Sequence, residues 1–171
     1  MEQKIFIDEN GVYKINCTSA IELIELHDYY NKNNLLSDVD FIMILDEDVI
    51  FVEYKNNTIP EVKNPKAFEK KITTEDHYKK IARKYYDSLI YIRHRKSLTG
   101  KTYKYYYILE CDKADSVMRK RLATKIKKKL PFELQTVIPN IDEAMIDDFK
   151  VVNIEEWNKL FPSFKLEQNI G

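Results

Sequence analysis

The sequence is short of the residues that build linkers, disulfides and flexible tails. Its 171 residues include only 3 Gly, 5 Pro and 2 Cys. With so little Gly and Pro there is no stretch that reads as a linker, and we expect a single domain covering residues 1–171. Cys17 and Cys111 lack the spacing of metal ligands, and we interpret them as reduced thiols.

Long apolar runs are also missing. No run approaches the roughly 18–20 residues that a membrane-spanning helix needs. The first residues, Met-Glu-Gln-Lys, lead directly into a strand-like segment without the apolar region of a signal peptide. We therefore expect a cytoplasmic protein that is not associated with a membrane.

The charges balance but are segregated. The chain has 28 Lys+Arg and 28 Asp+Glu residues, and between Lys63 and Lys129 there are 21 Lys/Arg against 7 Asp/Glu. A basic segment of this kind is typical of a phosphate-binding surface. Helices that carry solvated lysines would produce the same count, so both interpretations stay open, above all for the cluster from Arg119 to Lys129.

Apolar periodicity predicts an α/β fold with a central mixed sheet flanked by helices. Continuous apolar runs at Phe41–Leu45 and Val49–Val52 are typical of central strands covered on both sides. Further strands are predicted at Lys4–Asp8, Val12–Asn16, Tyr103–Cys111, Phe132–Ile138 and Val151–Ile154. Helices are predicted at Ser19–Tyr30, from Thr73 or Thr74 to about Ile92, and at Ala114–Lys129, Ile141–Phe149 and Glu155–Phe161, while residues 56–71 are expected to be irregular.

Three charged residues occupy positions where a central strand normally has none. Asp40 begins the first central strand, and Glu53 and Lys55 end the second. Buried charges are costly unless they are paired or bind a metal. Glu53 and Lys55 are two residues apart and project from the same face. Two carboxylates and a lysine suit phosphodiester hydrolysis, with Mg²⁺ held by the carboxylates and Lys55 positioning water or stabilising phosphoryl oxygens.

The register between the two strands decides whether Asp40 joins this face. A two-residue turn at Glu47-Asp48 would place Asp40 opposite Lys55, on the face that carries Glu53. A three-residue turn would place Asp40 on the other face. A buried salt bridge without catalytic chemistry would also explain the charges.

Asp40, the apolar strand after it, and Glu53-Tyr54-Lys55 closing the next strand resemble the PD-(D/E)xK nuclease superfamily, which includes restriction endonucleases, Holliday-junction resolvases and repair nucleases. The resemblance covers about residues 19–95. It implies a restriction-endonuclease-like core and a Mg²⁺-dependent (or Mn²⁺-dependent) endonuclease acting on DNA. Two features depart from the pattern: Val39 stands where Pro is frequent, and the strand usual before the Asp strand is missing, so the N-terminal hairpin would have to supply it.

The resemblance also implies further site residues. Family members often add a Glu from the first helix as a metal ligand, and we expect Glu25 rather than Glu22, because Glu22 is also suited to a capping box with Ser19. The helix after the motif often directs a basic residue at the site, and Lys80 is the expected one. Basic residues of this helix are predicted to bind nucleic acid: Lys79, Lys80, Arg83 and Lys84. His77 and Asp38 are interpreted as a solvated helix-start residue and a loop carboxylate.

Other functions fit the same pattern. The chain could be an RNA nuclease, a catalytically inactive module that binds nucleic acid or protein, or a structural protein that self-associates. The sequence does not distinguish single from double strands, or a monomer from a homodimer.

Overall fold

A computed structural model describes residues 2–170. The strands within this part of the chain are β1 (Ile5–Ile7), β2 (Tyr13–Asn16), β3 (Glu22–Ile24), β4 (Phe41–Ile44), β5 (Asp48–Asn56), β6 (Thr102–Glu110), β7 (Asp148–Val152) and β8 (Leu166–Gln168). The α-helices are α1 (His27–Tyr30), α2 (Pro65–Lys71), α3 (Glu75–Arg93), α4 (Ser116–Lys127), α5 (Leu134–Val137) and α6 (Ile154–Leu160), and a 3₁₀ turn spans Lys96–Leu98.

The main sheet has five strands in the order β3-β4-β5-β6-β7. The first three strands are antiparallel to their neighbours, whereas β5, β6 and β7 run parallel. Parallel neighbours require a crossover connection, and α2 with α3 and then α4 provide the two crossovers. The fold is therefore α/β with a mixed sheet, as the sequence predicted.

Both faces of this sheet are covered. On one face, called the helical face here, α3 and α4 pack on side chains such as Ile42 and Phe51. The opposite face, which carries Phe41 and Val52, packs on α6 and on a second sheet of order β1-β2-β8. This double cover explains why β4 and β5 are apolar on both sides. Among residues 2–170, no helix is long and apolar enough to cross a bilayer.

The predicted helix over residues 19–30 is wrong. Residues 22–24 form β3, which pairs antiparallel with β4, and only the four residues of α1 are helical. The amide of Ile21 donates to the carbonyl of Ile44 (2.9 Å), and Glu22 pairs with Arg95 instead of closing a capping box. Hydrogen bonds to the backbone of β4 stabilise residues 21–24 as a strand, although the local sequence favours a helix. The sequence predicted no strand directly before Asp40, but β3 lies there, and the hairpin β1–β2, which was expected to supply that strand, belongs to the second sheet.

Two predictions near the C-terminus are also wrong. Residues 132–138 contain turns and the short helix α5 instead of a strand, and residues 141–149 contain no helix but lead into β7. The Gln135 side chain fixes this irregular segment, because its oxygen accepts from the amides of Met145 (2.7 Å) and Ile146 (3.1 Å). Such a tertiary contact has no periodic signature in the sequence. The hairpin, α3, β6, α4 and α6 lie within a few residues of their predicted positions, whereas α2 lies in the segment expected to be irregular.

Candidate active site

The register of β4 and β5 sets the geometry of the site. Ile44 pairs with Val49, and the amide of Leu45 donates to the carbonyl of Asp48 (2.8 Å). The turn thus has two residues, as predicted, but it lies one residue earlier than predicted. Continuing this register by one step beyond β4 places Asp40 opposite Glu53 instead of Lys55.

All three residues share the helical face. In β5, Phe51 packs into the helical layer, and alternation along the strand directs Glu53 and Lys55 to the same side. In β4, Ile42 packs into that layer, so the same alternation assigns Asp40 to it. The structure therefore brings together the two carboxylates and the lysine that the sequence singled out.

Asp40 is anchored by one of its carboxylate oxygens. The amide of Tyr54 donates to Asp40 Oδ2 (2.7 Å), so the side chain takes a position that a backbone carbonyl would otherwise fill at the end of β4. Oδ1 has no hydrogen-bond partner among residues 2–170. Asp40 is partly exposed and lines a cleft of about 270 Å³, together with Lys55, Asn57 and Phe68. Asp40 Oδ1 is therefore available to bind a ligand in the cleft.

Glu53 is fully buried and lies between two lysines. Lys84 Nζ is 2.8 Å from Oε1 and 3.0 Å from Oε2, and Lys55 Nζ is 3.5 Å from Oε1. Burial raises the pKa of Glu53 to about 7, and the charge of Asp40 adds to that rise. The two lysines oppose the rise without cancelling it. Near neutral pH, this carboxyl group is therefore present in both its protonated and its ionised form.

Lys55 connects the site to the N-terminal hairpin. Besides its contact with Glu53, its ammonium lies 3.9 Å from Glu9 Oε1 in the turn between β1 and β2. Burial acts to lower the pKa of Lys55, but the charges of Glu53 and Asp40 outweigh burial and raise it. Lys55 is therefore a fixed cation and is not available as a general base.

The basic residues predicted on α3 have different environments. Lys84, not Lys80, reaches the site, because it lies three residues after the buried Ile81 and so falls near the apolar stripe of the helix. Lys79 and Lys80 are exposed. Arg83 Nη2 donates to the carbonyl of Leu35 (2.6 Å), and Nε donates to Asp87. The position of Lys84 on the stripe was the sequence signal that could have identified it.

His77 is not the solvated residue that the sequence suggested. It is buried, and its Nε2 lies 3.1 Å from the hydroxyl of Tyr107, which pairs with Glu53 in the parallel ladder. Burial lowers the pKa of His77 to about 4, and nearby lysines contribute to the shift, so the ring is neutral at pH 7. Asp38 is a half-buried loop carboxylate whose pKa is raised by burial.

The helix-borne metal ligand expected from the resemblance has no helix to carry it. Glu25 follows β3 and is exposed, and the alternative residue, Glu22, pairs with Arg95. In residues 2–170, no group of three or more His, Cys, Asp or Glu side chains is arranged to hold a metal. A two-carboxylate set formed by Asp40 and Glu53 still fits Mg²⁺, because this ion commonly keeps several waters and takes one or two carboxylates plus substrate phosphate.

No protein-family model, curated protein or solved structure matches this chain.

Proposed function

We propose that this chain is a Mg²⁺-dependent endonuclease that hydrolyses phosphodiester bonds, with DNA as its substrate. The observation that carries the proposal is the facing of Asp40 and Glu53 across two central strands, with Lys55 on the same face. Mn²⁺ would serve in place of Mg²⁺ because both are hard cations with the same preference for oxygen. The same proposal includes a cytoplasmic location.

A purely structural salt bridge accounts poorly for this arrangement. A salt bridge that served stability alone would leave a buried carboxylate well stabilised, yet the pKa of Glu53 stays near 7 despite two lysines. Asp40 adds a second negative charge and keeps a free oxygen. Such a carboxylate pair is better compensated by a divalent cation than by the lysines present.

Each residue has a defined task in the proposed reaction. Asp40 Oδ1 and the Glu53 carboxylate would hold the cation, which polarises the phosphate and lowers the pKa of bound water. Lys55 stabilises charge that develops on the phosphoryl oxygens. For Glu53 to hold the cation, Lys84 would have to give up its contacts with that carboxylate, and its ammonium would then be available to contact the phosphate.

The order of elements supports the resemblance to PD-(D/E)xK nucleases. β3 stands before the Asp strand, as in the family core, and α3 follows the Glu-x-Lys strand before β6. The chain departs from the family pattern because no helix precedes β3 among residues 2–21.

One observation favours a second function, an inactive module that binds nucleic acid on the same fold. Lys84 already contacts both oxygens of Glu53 and partly neutralises it without metal. A protein that had lost cleavage would gain from such a contact, because it removes the need for a cation.

A substrate panel distinguishes the two functions. Plasmid DNA, single-stranded and duplex oligonucleotides and RNA are incubated with Mg²⁺, Mn²⁺ or EDTA, using the wild-type protein, Lys55→Ala and the control Lys165→Ala, an exposed lysine outside the basic segment. The nuclease proposal expects cleavage that needs metal and is lost in Lys55→Ala but retained in Lys165→Ala. Binding without cleavage under every metal condition would support the inactive module, and cleavage of RNA alone would identify an RNA nuclease.

A further inference from the structure

A second cavity lies beside β7, the strand at the opposite edge of the main sheet from β3. It runs along β7 between α4 and α6 and has a volume of about 590 Å³. It shares no lining residue with the cleft beside Asp40. The proposed nuclease chemistry therefore does not account for it.

One wall of this groove is a row of hydrogen-bond donors on α4. Ser116, Lys120, Thr124 and Lys127 all line it, and their spacing of three to four residues places them along one side of the helix. Lys120 forms no ion pair with residues 2–170, and Lys127 lies over the ring of Phe132 (5.5 Å) without a carboxylate partner. The row is therefore cationic and largely uncompensated.

The opposite wall and the floor supply apolar surface. Leu160 of α6 is 45% exposed and lines the groove. The floor is formed by residues 149–152 of β7. This strand ends the sheet order: one of its edges pairs with β6, and the other edge faces the groove. The terminal strand of a sheet offers backbone N–H and C=O groups that an extended peptide can pair with.

An ion pair joins α4 and α6, the two helices that form the walls of the groove. Arg119 is buried and donates to both carboxylate oxygens of Glu156, at 2.8 and 3.2 Å. Glu156 is the acidic residue among those that line the groove, and Arg119 therefore compensates its charge.

Lys150 and Lys159 also line the groove, and they pair with Asp148 and Glu155. Lys120 and Lys127 are the lysines of the groove that form no ion pair with residues 2–170.

From these features we propose that the groove binds a short acidic peptide of a partner protein, in an extended conformation, with its apolar side chains against Leu160. Charge complementarity selects an acidic ligand. The strand edge selects a peptide over a nucleic acid, because a sugar–phosphate backbone lacks the alternating N–H and C=O groups that pair with a β-strand. This site is independent of the proposed nuclease activity.

The test uses a fluorescent peptide in which glutamate alternates with leucine, and a glutamine–leucine peptide of equal length. The paired variants are Lys120→Glu/Lys127→Glu in the groove and Arg121→Glu/Lys128→Glu outside it, which have the same spacing and charge change on the same helix. Fluorescence anisotropy should show binding of the acidic peptide to the wild type and a loss of roughly tenfold in the groove variant, with less than about twofold loss in the control.

Further variants keep the test decisive if the double variant unfolds. Lys120→Glu against Arg121→Glu repeats the comparison with one charge reversal, and Leu160→Gln against Leu134→Gln tests the apolar wall. Equal losses in groove and control variants, equal affinity for the two peptides, or no binding by the wild type up to about 1 mM would overturn the proposal. Displacement of the peptide by single-stranded DNA at lower concentration than by unlabelled peptide would also overturn it, and would assign the groove to nucleic acid.

Discussion

Lys84 Nζ lies within 3.0 Å of both carboxylate oxygens of Glu53, and the two side chains are 13% and 0% exposed. The ion pair crosses from α3 to the centre of the sheet. It occupies the coordinating atoms of the carboxylate that we propose as a metal ligand. For this carboxylate to hold a cation, Lys84 would have to give up both contacts.

Lys84→Ala should destabilise the protein in a pH-dependent way. Without this lysine the pKa of Glu53 rises further, so the carboxyl is protonated in the folded protein at pH values where it is ionised in the unfolded chain. Both proteins should lose stability as pH rises from about 4.5, but the wild type should stop losing it near pH 7, where its Glu53 ionises, whereas the variant should continue to lose it. The loss relative to wild type should therefore appear only above about pH 7 and reach about 1 kcal/mol at pH 8. Urea unfolding at pH 5 and pH 8 measures this, with Lys79→Ala, an exposed lysine of the same helix, as control. Equal losses at both pH values would show that Lys84 acts through packing alone.

Mg²⁺ should bind more tightly as pH rises. A metal ligand must be deprotonated, and the pKa of Glu53 is about 7. Titration calorimetry should show affinity increasing up to about tenfold per pH unit below pH 7 and levelling above it. The Asp40→Asn protein should bind the metal weakly at every pH. An affinity that does not change between pH 6 and pH 8 would place the metal away from Glu53.

Asp40→Asn should abolish cleavage while preserving the fold. The amide oxygen of Asn can still accept from the Tyr54 amide, whereas the loss of a negative charge lowers the pKa of Glu53 and relieves repulsion. We expect activity to fall by more than about 100-fold, beyond the usual effect of a residue that only supports a ligand. The melting temperature should be unchanged or higher. Glu53→Gln should also be inactive, and full activity in either variant would move the metal site elsewhere.

The exposed lysines of α3 should control the salt dependence of nucleic-acid binding. Lys79 and Lys80 are exposed, and each phosphate they neutralise would release counterions. Lys79→Ala/Lys80→Ala should weaken binding at low salt and flatten the dependence of affinity on salt, similarly for different sequences. Anisotropy titrations at several salt concentrations test this. Arg83→Ala should instead lower thermal stability, because Arg83 holds the carbonyl of Leu35.

The clustering of Asp40, Glu53 and Lys55 was easier to predict than the elements around them. Asp40, Glu53 and Lys55 stand out because charges at the ends of buried strands are rare, and alternation along a strand fixes their face. The exact register was missed by two residues in the pairing, because turn position depends on local hydrogen bonds such as that between Leu45 and Asp48. The continuous apolar runs of β4 and β5 and the apolar stripe of α3 were enough to predict these three elements of the core.

The errors come from contacts that are distant in sequence. Glu22 fits a capping box locally, but its partner is Arg95, and β3 exists because β4 offers an edge. The role of Lys84 depends on the depth at which α3 packs, and the burial of His77 depends on Tyr107 from another strand. Apart from the position of Lys84 near the apolar stripe of α3, these relations have no signature within a short window of sequence.

The second sheet has a consequence for the order in which the molecule assembles. Tyr13 of β2 pairs with Gln168 of β8, so this ladder joins residues from nearly opposite ends of the sequence. Closing so long a loop is entropically costly and slow compared with forming the α3 and α4 crossovers. During synthesis, the hairpin of β1 and β2 that carries Glu9 toward Lys55 gains its third strand only after β8 has emerged. A ribosome-bound chain lacking β8 would then hold the carboxylate pair beside an incomplete second sheet.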